Sequence, residues 1–189
     1  MPVLTFDEEK HAYYLDGVRL PSVTQIIDDL AIGPIYPPGD YRVRGRQVHK
    51  ACELLDLGVI DQYTIGDTIM RYVESYAKML RDIPVEWDSM EQISYHPELF
   101  YAGTHDRVGL MWGEPSILDF KTGKPGRETG LQLAGYALMK YPRDYRPVRR
   151  FKAELQPDGR QGRLVEYTDP FDFDGFVGAV NLYKWKRRK

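Results

Sequence analysis

One cysteine, Cys52, is all the thiol chemistry in this chain of 189 residues. A single thiol excludes an intramolecular disulfide, a cysteine zinc site and an iron–sulfur cluster, and it fits a reducing compartment. Long apolar runs are missing as well: no stretch approaches the roughly 18 apolar residues of a membrane-spanning helix. The opening MPVLTFDEEK lacks the basic-then-apolar order of a secretory signal. The expectation is a soluble, cytoplasmic protein with no membrane partner. An excess of positive charge is also absent. The net charge of -2 is not that of a simple DNA-coating protein, so nucleic-acid affinity must come from local patches. The loop Thr122-Gly123-Lys124-Pro125-Gly126 does not match the phosphate-loop pattern G-x-x-x-x-G-K-[ST], which argues against nucleotide hydrolysis.

What is present is ordinary for a globular fold: 42% hydrophobic and 29% charged residues, in a length that suits one domain with a sizeable core. We expect that domain to run over 1–189, with an N-terminal hairpin and helical region (1–85) followed by a sheet-and-helix region (86–189). Residues 3–20 alternate as strands around Asp16-Gly17, a strong hairpin signal. Pro21-Ser22-Val23-Thr24-Gln25 reads as a capping box opening a short helix to about Leu30, or as a loop lining a substrate channel. Helices are predicted from Asp40 to Leu57, from Asp67 to Arg81, after the Gly123 loop to Lys140, and from Asp169-Pro170 onward. Strands are predicted near 91–95, 99–111, 116–121, 148–155 and 162–167.

Chemistry concentrates between Gly103 and Tyr136. Asp119 and Lys121 flank Phe120, so in a strand both point to one face and Phe120 to the other. A turn symmetric about Trp112 and Gly113 sets Asp106 opposite Asp119, with Cβ atoms about 5 Å apart. A slip of one residue would send the two acids to opposite faces. Two acids and a lysine on one surface are either a metal site or a cross-strand ion pair. Gln132 and Tyr136 share one face of the following helix. Upstream, His49 lies beside a row of Arg42, Arg46 and Lys50, with Arg44 nearby and Gly45 one turn before it. A basic row is equally a solvated face, and the basic tail Lys184–Lys189 equally suits a helix C-terminus.

GTHDRV, DFKTG and QLAGY together, with a helical histidine before them, resemble the PD-(D/E)XK nuclease superfamily in its RecB-like exonuclease branch. HAYYLDGVRLPSVTQII and GRQVH are also similar to phage-type and mitochondrial genome-maintenance exonucleases, so the resemblance covers about residues 11–140. It implies an α/β, restriction-endonuclease-like core with a mixed central β-sheet flanked by helices. It implies Mg²⁺ or Mn²⁺ held by His49, Asp106, Asp119 and the Phe120 carbonyl, with Glu91 as a further acid for a second metal or a metal water. It also implies Lys121 at the attacking water, and Gln132 and Tyr136 on the phosphate backbone or bracing Lys121. Arg42, Arg46, Lys50 and Lys124 would contact DNA, single- or double-stranded, and a recombination protein is a further partner. The branch's iron–sulfur members need four cysteines, which this chain lacks. An inactive DNA-binding module on the same fold, and a structural or assembly protein with an ion-paired D-x-K, are the competing readings.

Overall fold

The computed structural model describes residues 2–32, 41–123 and 126–188, without the side chains of Tyr41 and Arg42. Strands β1 (Leu4–Asp7), β2 (Ala12–Leu15) and β3 (Val18–Leu20) form a small antiparallel sheet. Asp16 and Gly17 between β2 and β3 both take positive φ, +50° and +79°, the twist that a two-residue hairpin turn requires. Ser22 then caps α1 (Val23–Asp28). Its hydroxyl accepts from the Gln25 N–H at 3.0 Å, and the Gln25 side chain accepts from the Ser22 N–H at 3.1 Å. The predicted capping box therefore forms, and the Pro21 carbonyl accepts from Ala102 N–H, which ties the small sheet to the large one.

Helix α2 (Tyr41–Asp56) ends near Gly58, whose φ of +69° is the left-handed conformation that closes many helices. Its expected cap, Asp40, lies outside the described residues. Helix α3 (Asp67–Leu80) buries Tyr72, Val73 and Tyr76, three of the five residues predicted for its stripe. The large sheet contains β4 (Val85–Tyr95), β5 (Ala102–Met111), β6 (Glu114–Lys121), β7 (Arg149–Glu154) and β8 (Arg163–Glu166), in that order. Only β6 and β7 run parallel, joined across α4 (Glu128–Lys140). Helix α5 (Phe171–Trp185) follows β8.

Each face of the sheet carries its own core. Ile26 and Ile27 of α1, Leu133 and Ala137 of α4, and Phe173 and Phe176 of α5 pack with Val108 and Ile117. On the other face Val48 and Cys52 of α2 and Val73 and Tyr76 of α3 pack with Leu118, Phe120 and Phe151. The fold is thus α/β, a mixed sheet flanked by helices, as the alternation of patterns predicts.

Two strand limits differ from expectation. Strand β4 begins at Val85, not Glu91, because a shift in pairing between Trp87 and Ser89 breaks the period of two. Strand β5 begins at Ala102, not 99, because His96 folds the preceding segment: its Nδ1 accepts from the N–H groups of Glu98 and Leu99 at 3.2 and 3.1 Å.

Candidate active site

The β5–β6 hairpin turns through Trp112 (φ +53°) and Gly113 (φ +77°) and pairs Met111 with Glu114 down to Arg107 with Leu118. Extending this register sets Asp106 level with Asp119, and the β4–β5 register sets Glu91 level with Asp106; neither couple forms a ladder pair. The strands part at Asp106. Its Oδ2 accepts from the Phe120 N–H at 2.6 Å, so a carboxylate stands where a strand carbonyl would otherwise be. The Lys121 carbonyl turns the other way, to Leu155 N–H beyond β7. Since N–H and C=O of one strand residue share a side, the Phe120 carbonyl faces the gap beside Asp106.

Side-chain alternation also turns over at this point. Tyr101 donates to the Gly135 carbonyl of α4 at 2.8 Å, and a Cβ on Gly103 would lie 3.0 Å from the Tyr136 ring. Glycine at 103 is what lets Tyr136 approach the strand. Arg107, of the same parity as Tyr101 and Gly103, instead reaches Asp56 of α2 on the opposite face. Glu91, with φ of +46°, is left-handed within its strand and directs its carboxylate toward Arg107 and His49.

His49 comes from α2 and stands edge-on to the Phe120 ring, 5.4 Å between centroids. Its Nδ1 lies 3.3 Å from Asp106 Oδ1 and 3.6 Å from Glu91 Oε1. One ligand atom from each of His49, Glu91 and Asp106 lies within 4.8 Å of the others. Ligand bonds of about 2–2.5 Å let atoms up to about 5 Å apart share one ion, so this set fits a divalent cation. The charges are arranged accordingly. Burial pulls the imidazole pKa down, but Asp106 and Glu91 outweigh it and raise it to about 10. Burial pushes Asp106 up, but the charge and hydrogen bond of His49 and the Phe120 N–H hold it below the usual carboxylate range. Glu91 is raised, by burial first and then by Asp106.

On the α4 side, Asp119 Oδ2 lies 2.6 Å from Lys121 Nζ, which donates to Gln132 Oε1 at 2.9 Å. Gln132 Nε2 in turn donates to the Tyr136 hydroxyl at 3.1 Å. Burial raises the Asp119 pKa to about 6, against the pull of Lys121. The structure therefore brings together His49, Asp106 and Glu91 as one group and Asp119, Lys121, Gln132 and Tyr136 as another, with Asp106 at the junction. Asp119 is not within the compact group that His49, Glu91 and Asp106 make.

Three residues beside the site carry no motif. Arg107, fully buried, donates to Asp56 Oδ2 at 2.7 Å, Glu91 Oε1 at 3.3 Å and the Asp106 carbonyl at 2.6 Å. Its guanidinium lies 4.8 Å from the Phe120 ring, and the Tyr76 hydroxyl donates to Asp56 at 3.0 Å. The available signal was an arginine among the apolar residues of a strand; its partners are distant in sequence. Of the basic row, Arg46 and Lys50 are exposed, and Lys50 pairs with Glu53 at 2.6 Å. The Arg42 side chain and Lys124 lie outside the described residues. In the tail, Lys186 and Arg187 fold back onto Asp29 at 2.9 and 3.0 Å.

No known protein-family profile and no curated protein matches this chain. Among solved structures it is similar to a candidate exonuclease from Eubacterium rectale, at 12% identity and a TM-score of 0.51. The likeness covers 89% of this chain and 73% of that one, and it is a likeness of fold. The crystal structure of SSO0001 aligns over 88% of this chain and 85% of its own, at 11% identity and a TM-score of 0.36, too low to carry an argument.

Proposed function

We propose that this protein is a Mg²⁺- or Mn²⁺-dependent DNA nuclease of the PD-(D/E)XK kind, an exonuclease used in DNA processing, recombination or repair. The observation that carries the reading is the convergence at Asp106: an imidazole 3.3 Å away on one side of the sheet, and a lysine held between Asp119 and Gln132 on the other. The shared fold with a candidate exonuclease adds support.

In this reading His49, Glu91 and Asp106 hold the cation, with Asp119 and the Phe120 carbonyl as further oxygen ligands. Carboxylates suit a hard ion, and the imidazole favours tolerance of Mn²⁺. A bound divalent ion would polarise the scissile phosphate and acidify a water. Lys121 orients that water and offsets charge that develops on the phosphate oxygens. Gln132, braced by Tyr136, fixes the Lys121 ammonium. The water oxygen bonds to phosphorus, the P–O ester bond breaks, and the leaving oxygen takes a proton. Arg46 and Lys50 contribute salt-sensitive phosphate contacts.

End-labelled single- and double-stranded DNA incubated with Mg²⁺ or Mn²⁺ tests this reading. Cleavage abolished by EDTA is the expected result. DNA binding without cleavage in either metal would favour the inactive module instead, and neither binding nor cleavage would favour the structural reading.

A further inference from the structure

The small N-terminal sheet forms a second wall beside the candidate site. Along β4 and β5 the ladder pairs Tyr95 with Ala102 and Ile93 with Thr104. Tyr95, Ala102 and Ile93 pack with Tyr13, Leu20 and Phe6 of the small sheet, and the Tyr13 hydroxyl lies 2.8 Å from that of Thr104. Glu91 and Asp106 come next along the two strands, and beyond them Arg107 is held by Asp56 of α2. The site acids therefore lie in a trough between the small sheet and α2, whose floor from Thr104 to Arg107 is about 10 Å long. Burial raises the Tyr13 pKa and the charge of Glu91 adds to it.

Strand direction decides which end of the small sheet meets the trough. Strand β3 runs through Pro21 into Ser22, which bridges Ala102 in parallel, so β3 runs as β5 does, toward Asp106. Strand β2 is antiparallel to β3. Its first residues, and the turn of Glu8, Glu9, Lys10 and His11 before them, therefore point at the trough. Three rings gather there. Phe6 lies 4.7 Å from Tyr13 between centroids, and His11 stands edge-on to Phe6 at 5.2 Å and 6.4 Å from Tyr13. Tyr13 is buried, Phe6 half-buried and His11 exposed, so the group opens from the core toward solvent. His11 holds a φ of +45°, a left-handed conformation that histidine adopts more readily than most residues. On the α2 wall, a Cβ on Gly45, one turn before His49, would meet nothing within 4 Å among the described residues.

We propose that the Phe6, His11 and Tyr13 group is a nucleobase subsite, which takes an unpaired base next to the phosphate at Asp106. It rests on the nuclease reading above for that phosphate. The two walls differ in charge. Helix α2 presents the exposed Arg46, whereas the turn presents the exposed Glu8 and Glu9, with Lys10 turned onto Asp7 at 3.0 Å. Phosphates are drawn to the α2 wall and repelled from the turn, which leaves the bases of the strand to face the rings. Phe6 and Tyr13 are fixed by packing on the large sheet, and His11 rests on both, so its exposed ring is a stacking surface set in place by folding. Every base has a π-face, so the subsite tolerates sequence.

Fluorescence anisotropy on the full chain in EDTA, where metal-dependent cleavage does not intervene, is the test. The probes are a short labelled oligothymidylate and a strand of equal length whose sugars carry no bases. Wild type should bind the oligothymidylate about tenfold more tightly than the abasic strand. His11→Asn tolerates the left-handed backbone but lacks the ring, and it should lose this preference while its affinity for the abasic strand stays unchanged. His11→Tyr, which keeps a ring, should retain the preference. Equal binding of the two strands by wild type overturns the subsite and leaves the nuclease reading standing. A preference that His11→Asn leaves intact, or that His11→Tyr also loses, overturns the part given to the His11 ring. Equal weakening on both strands in His11→Asn would mark a structural or purely ionic role and overturns it too. If neither strand binds, the subsite falls together with the nuclease reading.

Discussion

His49 meets two carboxylates through a single nitrogen, Nδ1, and at neutral pH without metal that nitrogen carries a proton. The proton does part of what a cation would do there: it offsets Asp106 and Glu91. The two states respond to pH in opposite directions. Without metal the raised imidazole pKa stabilises the fold, fully below 6.5, and that contribution is lost as pH rises through about 10. A cation must displace the proton, so in the proposed site Mn²⁺ affinity should climb with pH, up to about tenfold per unit between neutrality and the alkaline range. Calorimetric titration with Mn²⁺ at two pH values checks this. Equal affinities at both would remove His49 from the ligand set. Its neighbour Asp119, with its pKa raised to about 6, stays ionised over that range and should not blur the trend.

The elements meet through Arg107. From β5 it joins Asp56 at the end of α2 and Glu91 on β4, while Tyr76 of α3 supports Asp56 from above. Replacing it with Met roughly keeps the volume but leaves Asp56 without its cation and Glu91 with His49 alone. Removing one partner of a buried ion pair costs about 3–5 kcal/mol, and we expect a urea midpoint lowered accordingly in Arg107→Met. An unchanged midpoint would mean that the network contributes little to holding α2 and β4 on the sheet. This network is also the part of the site that the sequence does not disclose. The β5–β6 register could be read ahead of the structure because a two-residue turn and strict alternation determine it locally. The Ser22–Gln25 cap was legible for the same reason. Arg107 and Asp56 are 51 positions apart, and no periodicity links a helix C-terminus to a strand arginine. Glu91 was visible only as a nearby acid. Its direction depends on a positive φ at a point where the β4–β5 ladder is interrupted, and neither feature leaves a local signature.

At the scale of the whole molecule, the candidate site exists because helices cover both faces of one sheet and the sheet opens between them. Helix α2 delivers His49 from one side, α4 delivers Gln132 and Tyr136 from the other, and the parting of β5 from β6 at Asp106 lets the two groups meet. Strict alternation along β5 would have kept them on separate faces. The proposed nuclease reading needs both halves, one for the cation and one for the attacking water. Lys121→Ala separates the halves, since it leaves His49, Glu91 and Asp106 in place. The decisive measurement is the cleavage rate of end-labelled DNA by Lys121→Ala beside wild type, each with Mn²⁺ affinity and melting temperature determined. We predict a rate lower by about two orders of magnitude or more, with metal binding and stability close to wild type. Cleavage near the wild-type rate by a folded, metal-binding Lys121→Ala would contradict the account.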